Sequence, residues 1–304
     1  MLKFINRSYK KFVSLCNYPL KKRQLFGSLN IINFHQVAEK FDSRFHTKGT
    51  FTEFKQFQKL ILKINDKYGI VSLSKGVELL KSRSINDNPI FAITFDDGDI
   101  SLERKVIPFL QSKEIPATEF INTKYLDHQS ASWVSMYTFL KSINHYVFEK
   151  NDNLLYAFIQ IRNTNNRKIY HNYCAILEKA FVQLDKKPSI TVDLEWLGTL
   201  NKKLFHIGLH GHNHHRYSML SYNEQKEDIE QNISILEQFE NYIPYWALPF
   251  GTSIDWNRNT IKIALEKDLL LFFHTNSNNR SWNDIGLDRI PSDGKTLYDI
   301  IKGF

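Results

Sequence analysis

The chain has 304 residues, of which 42% are hydrophobic, and its formal net charge is +8. This composition excludes a disordered chain and allows a sizeable core in one large or two small domains. The sequence shows no apolar run that could span a bilayer and no apolar core of a secretory signal. Its two cysteines, Cys16 and Cys174, form neither a disulfide framework nor a metal-ligand spacing. We therefore expect a cytoplasmic protein.

The positive charge is concentrated in residues 1–23, which contain seven Lys or Arg residues and no acid. At helical period the apolar residues of this segment fall on one face, opposite Lys3, Arg7, Lys10 and Lys11. The pattern is typical of a helix bound to an anionic membrane surface, here the inner face of the membrane. A basic helix packed on the domain would show it too. No nucleic-acid-binding motif is present, so we expect no nucleic-acid partner.

From residue 28 onward, strand-like apolar stretches alternate with helical patterns. Strands are predicted at 28–35, 71–73, 90–95, 117–122, 204–209, 245–248, 269–273 and 287–290. Helices are predicted at 52–64, 76–81, 106–110, 221–239 and 259–267, with a capping box of Ser221 and Glu224. Residues 127–200 indicate a helical insertion. Residues 1–27 are then an amino-terminal segment, and 28–304 an α/β fold, an irregular (β/α) barrel of about seven strands.

Two adjacent carboxylates follow the most apolar predicted strand. Asp96, Asp97 and Gly98 stand at its carboxyl end, where barrel enzymes carry their catalytic groups. Neighbouring residues on an extended chain point to opposite sides, so the two carboxylates should have different roles. The alternative is that one of them caps the following helix and the other is solvated.

Five of the eleven histidines lie between positions 206 and 215. Two histidines with one carboxylate can bind a metal and leave positions open for water and substrate. Several pairs have the i,i+4 spacing, but chain position favours His210, just past a strand, and His214, in the loop before the capping box. A solvated histidine-rich loop is the alternative.

Short motifs occur in an order that is typical of one enzyme family. They are Asn-Phe-His-Gln-Val at 33–37, Thr-Phe-Asp-Asp-Gly at 94–98, Ile-Pro-Ala-Thr at 115–118, Gly-Leu-His-Gly-His-Asn-His at 208–214, Leu-Pro-Phe-Gly at 248–251 and Leu-Asp-Arg-Ile-Pro at 287–291. Together they resemble the motifs of the NodB-type polysaccharide deacetylases, the family 4 carbohydrate esterases. The resemblance spans about residues 28–293 and is interrupted by the insertion.

The resemblance implies metal-dependent hydrolysis of the N-acetyl group of an amino sugar, with an N-acetylated carbohydrate as partner. It implies that Asp97, His210 and His214 are the metal ligands and Asp96 the catalytic base. The substrate-binding residues that it implies are His35, Pro249, Phe250 and Gly251. Zinc is the expected ion, with other first-row metals as alternatives. A divalent ion polarises the acetyl carbonyl, and a nearby carboxylate accepts a proton from the attacking water.

One departure from the family concerns the partner of the base. Members often carry Arg two residues before the Pro of the third motif, where this chain has Ala247. A guanidinium orients a carboxylate and lowers its pKa. Because Arg289 ends the last predicted strand at the same rim as Asp96, we predict that it reaches Asp96. The alternative is that Arg289 pairs only with a surface acid such as Asp288 or Asp293.

Other departures affect the proton donor and two single positions. The Leu-x-His motif that supplies the general acid in many members is absent, and His274 is the candidate in its place. A histidine at the edge of the core is the alternative interpretation. Glu119 stands where an apolar residue is expected, and Gly211 where many members have Ser or Thr.

Three functions follow from these observations. The first is deacetylation of an amino sugar in a glycan or glycan precursor, in the biosynthesis or modification of a surface polysaccharide. The second is the same chemistry on another N-acyl group, such as a formamido sugar. The third is a pseudoenzyme that only holds a metal and a glycan. Intact Asp96 argues against the third function, whereas Ala247 and the missing terminal histidine argue for it.

Overall fold

The computed structural model describes residues 27–47, 49–127, 130–147, 164–275 and 277–292. The basic segment at residues 1–23 lies outside these ranges, so its membrane contact stays a prediction. Among the described residues, no helix has the length and apolar character needed to cross a membrane.

The described strands build one large parallel sheet and a small two-stranded one. In chain order they are β1 (Leu29–Phe34), β2 (Gln36–Ala38), β3 (Phe51–Glu53), β4 (Ile90–Asp96), β5 (Ala117–Ile121), β6 (Phe205–Leu209), β7 (Tyr242–Ala247), β8 (Leu270–Phe273), β9 (Gly286–Asp288) and β10 (Ile290–Pro291). The large sheet has the order β10-β1-β4-β5-β6-β7-β8-β9, and β2 pairs with β3. Strands β2 and β3 were not predicted from the sequence.

The two edges of the large sheet belong to one stretch of chain. Strand β9 pairs with β8, and β10 pairs with β1, both in parallel. Only Arg289 separates β9 from β10. The sheet therefore curls into a nearly closed barrel, and this confirms the predicted α/β barrel fold.

Helices cover the barrel and connect its strands. They are α1 (Phe54–Tyr68), α2 (Leu73–Lys81), α3 (Ile107–Ser112, after a π-helical turn at Leu102–Val106), α4 (Trp133–Ser142), α5 (Arg167–Val182), α6 (Leu194–Thr199), α7 (Tyr222–Leu236) and α8 (Arg258–Glu266). The predicted capping box of Ser221 and Glu224 opens α7.

The strand predicted at 71–73 is wrong. Ser72 caps α2 by accepting a hydrogen bond from the Lys75 N–H, so Leu73 already begins a helix. Nearby, Ile70 forms only an isolated bridge with Phe91. The short apolar run was predicted to be a strand because the helix cap inside it, Ser72, was not recognised.

Alternate residues of the strands face two different cores. Phe91, Ile93 and Phe95 of β4 pack in the layer between barrel and helices. Ala92 instead belongs to a cluster drawn from many strands, which can meet only inside the barrel; its other members include Leu29, Ile31, Phe120, Ala247, Phe272 and Leu287. Leu73, Val77 and Leu80 of α2 join this inner cluster, so α2 closes the amino-terminal end of the barrel.

The stretch interpreted as an insertion contains α4, α5 and α6 in its described parts. The buried apolar residues of α4 and α5 form a cluster of their own, which includes Trp133 and Tyr170, whereas Leu197 of α6 belongs to the main core. Met219 belongs to this cluster and Phe250 packs against it. The insertion therefore reaches the loops at the carboxyl end of the barrel.

Candidate active site

Polar side chains replace apolar ones at the carboxyl ends of the barrel strands. Asn33 stands near the end of β1, Asp96 ends β4, and His210 directly follows β6. All three are buried. Burial of polar groups is costly unless they are paired, so their concentration at one end of the barrel marks a site.

The three residues predicted as metal ligands meet at this end. Asp97 Oδ1 lies 3.3 Å from His210 Nε2 and 3.1 Å from His214 Nε2. About a third of the Asp97 side chain is exposed, but its Oδ1 is buried and has no hydrogen-bond partner among the described residues. One oxygen and two nitrogens converging without hydrogen bonds fit a divalent cation.

Backbone geometry and one hydrogen bond orient these donors. Asp97 has a φ of 73°, and Gly98 after it has a φ of 63°. This left-handed turn, which Asp tolerates and Gly favours, carries the chain sharply out of β4. His210 Nδ1 lies 2.8 Å from the Ala247 carbonyl. Because a carbonyl only accepts, Nδ1 carries a proton, which leaves Nε2, on the Asp97 side of the ring, as the nitrogen that could bind a metal.

Asp96 is held by Arg289, as the sequence predicted. Arg289 Nη1 donates to Asp96 Oδ1 at 2.7 Å, and Nη2 donates to Oδ2 at 2.8 Å. Both side chains are almost fully buried, and the guanidinium lies over the Phe120 ring. Although burial acts to raise the pKa of Asp96, the Arg289 charge beside it lowers that pKa below its usual value. Asp96 is therefore an ionised, oriented carboxylate.

Asn33 completes the support of Asp96. Its Nδ2 donates to Asp96 Oδ2 at 2.9 Å, and its Oδ1 accepts from Arg289 Nη1 at 2.9 Å. Thr94 also donates to Asn33 Oδ1, at 2.8 Å. No role was predicted for Asn33 from the sequence. The available signal was a polar residue two positions before His35, on the same face of a mostly apolar strand.

Two further histidines stand near Asp96. His35 Nε2 lies 3.7 Å from Asp96 Oδ2, and the ring centroids of His35 and His274 are 6.0 Å apart. Burial, with the neighbouring His35 and Arg289 charges, lowers the pKa of His274 to about 3. The His274 ring is thus neutral at pH 7, and its role as general acid stays a prediction.

The loop predicted to bind substrate borders the predicted metal ligands. Pro249 is buried, and its carbonyl accepts from the Gly251 N–H at 2.8 Å. The Phe250 ring, partly exposed, has its centroid 4.9 Å from that of His214. The same ring has its centroid 5.7 Å from that of Trp133, on α4. Sequence reasoning missed Trp133, since nothing local connects α4 to this loop.

The sequence matches a family model described as polysaccharide deacetylase over residues 84–154 and 163–271, more than half of the chain. The chain belongs to the polysaccharide deacetylase family. Membership implies a hydrolytic deacetylase of N-acetylated carbohydrate. No curated protein sequence matches this deacetylase.

Solved structures share the fold of the deacetylase. IcaB from Ammonifex degensii is 15% identical, with a TM-score of 0.57 over 90% of this chain and 96% of that one. PplD from Streptococcus pyogenes, in complex with acetate, is 14% identical, with a TM-score of 0.59 over 90% and 97%. A de-N-acetylase from Aggregatibacter actinomycetemcomitans is 13% identical, with a TM-score of 0.56 over 86% and 94%.

Proposed function

We propose that this chain is a metal-dependent carbohydrate N-deacetylase. It hydrolyses the N-acetyl group of an amino sugar in a glycan or glycan precursor, in surface polysaccharide biosynthesis or modification. One observation carries the proposal: Asp97 Oδ1, His210 Nε2 and His214 Nε2 converge beside Asp96, a second carboxylate with a cationic partner of its own. The printed descriptions of the similar structures, a deacetylase bound to acetate and a de-N-acetylase, support the same reaction.

Asp97, His210 and His214 would hold the metal, and zinc suits this donor set. When bound, a divalent cation supplies a Lewis acid for the acetyl carbonyl and lowers the pKa of a water molecule. The identity of the metal is part of the proposal. Metal analysis of the purified protein tests it directly.

Asp96 accepts the proton of the attacking water in this proposal. Its Oδ2 lies 3.9 Å from His210 Nε2, so this oxygen faces the metal ligands. Arg289 donates one hydrogen bond to each carboxylate oxygen, and Asn33 donates a second one to Oδ2. These bonds fix the orientation of the ionised carboxylate beside the residues that would hold the metal, which suits a general base.

The leaving amine needs a proton, and His35 and His274 are the candidate donors; because burial lowers the pKa of both rings, the donor must first take up a proton during the reaction. His274 was predicted from its position in the sequence, and His35 stands nearer to Asp96. Glutamine substitutions distinguish the two histidines. Loss of the proton donor should lower kcat, whereas loss of a residue that only contacts substrate should raise KM.

The test is acetate release from a panel of N-acetylated sugars, with and without a chelator. Asp96→Asn is the inactive control. Release of formate from formamido sugars in place of acetate would favour the second function inferred from the sequence. Glycan binding without any release would favour the pseudoenzyme.

We propose that the protein acts in the cytoplasm, with residues 1–23 in contact with an anionic membrane surface. The acid-free basic composition of this segment supports the contact.

A further inference from the structure

One buried carboxylate lies beneath the loop that joins the two histidine ligands. Asp228, on α7, is only 4% exposed. Its Oδ2 accepts from the His212 N–H at 2.9 Å, and its Oδ1 accepts from the Asn213 N–H at 3.0 Å. The Asn213 side-chain amide and the Tyr217 hydroxyl donate to it as well. The carboxylate thus fixes two consecutive backbone amides between His210 and His214.

The loop backbone passes close to the Asp228 carboxylate at Gly211. A Cβ at position 211 would lie 2.9 Å from Asp228 Oδ2 and 2.6 Å from the Tyr217 hydroxyl. Gly211 also has a φ of 78°, a conformation that other residues rarely adopt. No side chain fits between the loop and Asp228, so the backbone position is tightly defined.

The two histidine ligands differ in what orients them. His210 is fixed through its own ring, because Nδ1 bonds the Ala247 carbonyl. His214 Nδ1 is buried and has no hydrogen-bond partner within the described part of the chain. A metal-binding histidine normally has such a partner. The orientation of His214, which has a φ of 52°, therefore rests on the backbone of the loop and on packing against Phe250.

We propose that Asp228 is a positioning residue that sets the metal affinity of the site by fixing His214 through the loop backbone. The inference rests on the proposed function, since it requires that Asp97, His210 and His214 bind a metal. An ionised carboxylate is acceptor-only and suits donors that approach both of its oxygens. In Asp228→Asn one oxygen becomes an NH₂ group that faces a donor.

The experiment measures Zn²⁺ affinity of the full-length protein by competition with a chromophoric chelator. Asp228→Asn should weaken Zn²⁺ binding about 10- to 100-fold, the usual effect of losing the support of a metal ligand. Tyr217→Phe is the matched control. It removes one donor to the same carboxylate but leaves both loop amides bonded, so its Zn²⁺ affinity should stay near that of the wild type.

A spectroscopic readout separates positioning from simple loss of stability. The absorption spectrum of the Co²⁺-substituted protein should change in Asp228→Asn, because His214 no longer approaches the ion as before, and should keep its wild-type form in Tyr217→Phe. Thermal unfolding of the metal-free proteins monitors the fold.

Should Asp228→Asn fail to fold, a second variant tests the inference. Asn213→Ala removes the hydrogen bond that the partly exposed Asn213 side chain donates to Asp228. It should weaken Zn²⁺ binding about threefold to tenfold.

The outcomes distinguish the inference from the function on which it rests. A wild-type protein that binds no Zn²⁺ overturns the proposed function. Wild-type binding together with an unchanged affinity and spectrum in Asp228→Asn, or an unchanged affinity in Asn213→Ala, overturns this inference alone. Equal losses of affinity in Asp228→Asn and Tyr217→Phe, matched by equal losses of stability, also overturn it and leave Asp228 a structural role.

Discussion

Arg289 and Asp96 stand 193 positions apart in the sequence and form a two-point ion pair inside the mouth of the barrel. The pair shows how the chain accommodates Ala247, which is buried in the inner cluster and cannot supply a charge. The cation comes instead from the residue between β9 and β10. A bidentate guanidinium combines charge and orientation, which is what a buried base needs.

Substituting Arg289 should impair catalysis without removing the metal. Arg289→Ala leaves the Asp96 charge buried and unpaired, so it should also cost about 3–5 kcal/mol of unfolding free energy. Because Arg289 lowers the pKa of Asp96, its loss raises that pKa. The acidic limb of the kcat/KM profile should therefore move to higher pH. Arg289→Lys keeps the charge without the two-point geometry and should give an intermediate rate. Full activity with an unmoved limb in Arg289→Ala would refute the pairing role.

Metal binding should separate from base catalysis. Asp97→Ala and His210→Ala should lose bound metal, whereas Asp96→Asn should retain it and turn over about 10²- to 10⁴-fold more slowly. His212→Ala is the matched control within the same loop, since the His212 ring contacts Thr123 and is not one of the converging donors. Metal content by mass spectrometry and acetate release are the two measurements. Wild-type metal content in Asp97→Ala would end the ligand assignment.

Glu119 should make stability depend on pH. Its side chain is fully buried, and neither carboxyl oxygen has a hydrogen-bond partner among the described residues. Burial raises its pKa from 4.5 to about 8. The unfolded chain releases this proton at lower pH than the folded chain, so stability is full below pH 4.5 and falls as pH rises towards 8, by about 1.4 kcal/mol per pH unit.

Denaturant unfolding across this pH range checks the effect. Glu119→Gln cannot titrate. The difference between its unfolding free energy and that of the wild type should therefore increase steadily, in favour of the variant, between pH 4.5 and 8. Glu237→Gln, at an exposed position, is the control and should track the wild type. A constant difference between Glu119→Gln and wild type at all pH values would show that Glu119 is not the titrating group.

The amino-terminal basic segment should be dispensable for chemistry. Deleting residues 1–23 should leave turnover on a water-soluble substrate unchanged and weaken binding to anionic vesicles, because each Lys or Arg near such a surface contributes about 1 kcal/mol. Co-sedimentation with phosphatidylserine vesicles, compared with uncharged vesicles, measures the difference. Equal binding by the full-length and shortened proteins would favour a helix packed on the domain.

Local patterns predicted most of the fold, because each strand of a parallel barrel is a short apolar run ending in a polar turn. The carboxylates after β4 and the histidines after β6 were visible for the same reason. Partners distant in sequence were harder to predict. Arg289 could be predicted as the partner of Asp96 only because Ala247 stands where family members often carry Arg. The contacts of Asp228 and Asn33 leave no pattern in the sequence.

The link between β9 and β10 ties the shape of the molecule to its chemistry. If β10 detaches from β1, Asp96 loses its counter-charge even while His210 and His214 stay in place. Transient opening of that edge would then interrupt turnover long before the protein unfolds. A circular permutant with new ends between Asp288 and Arg289 could keep every strand and still be a poor catalyst.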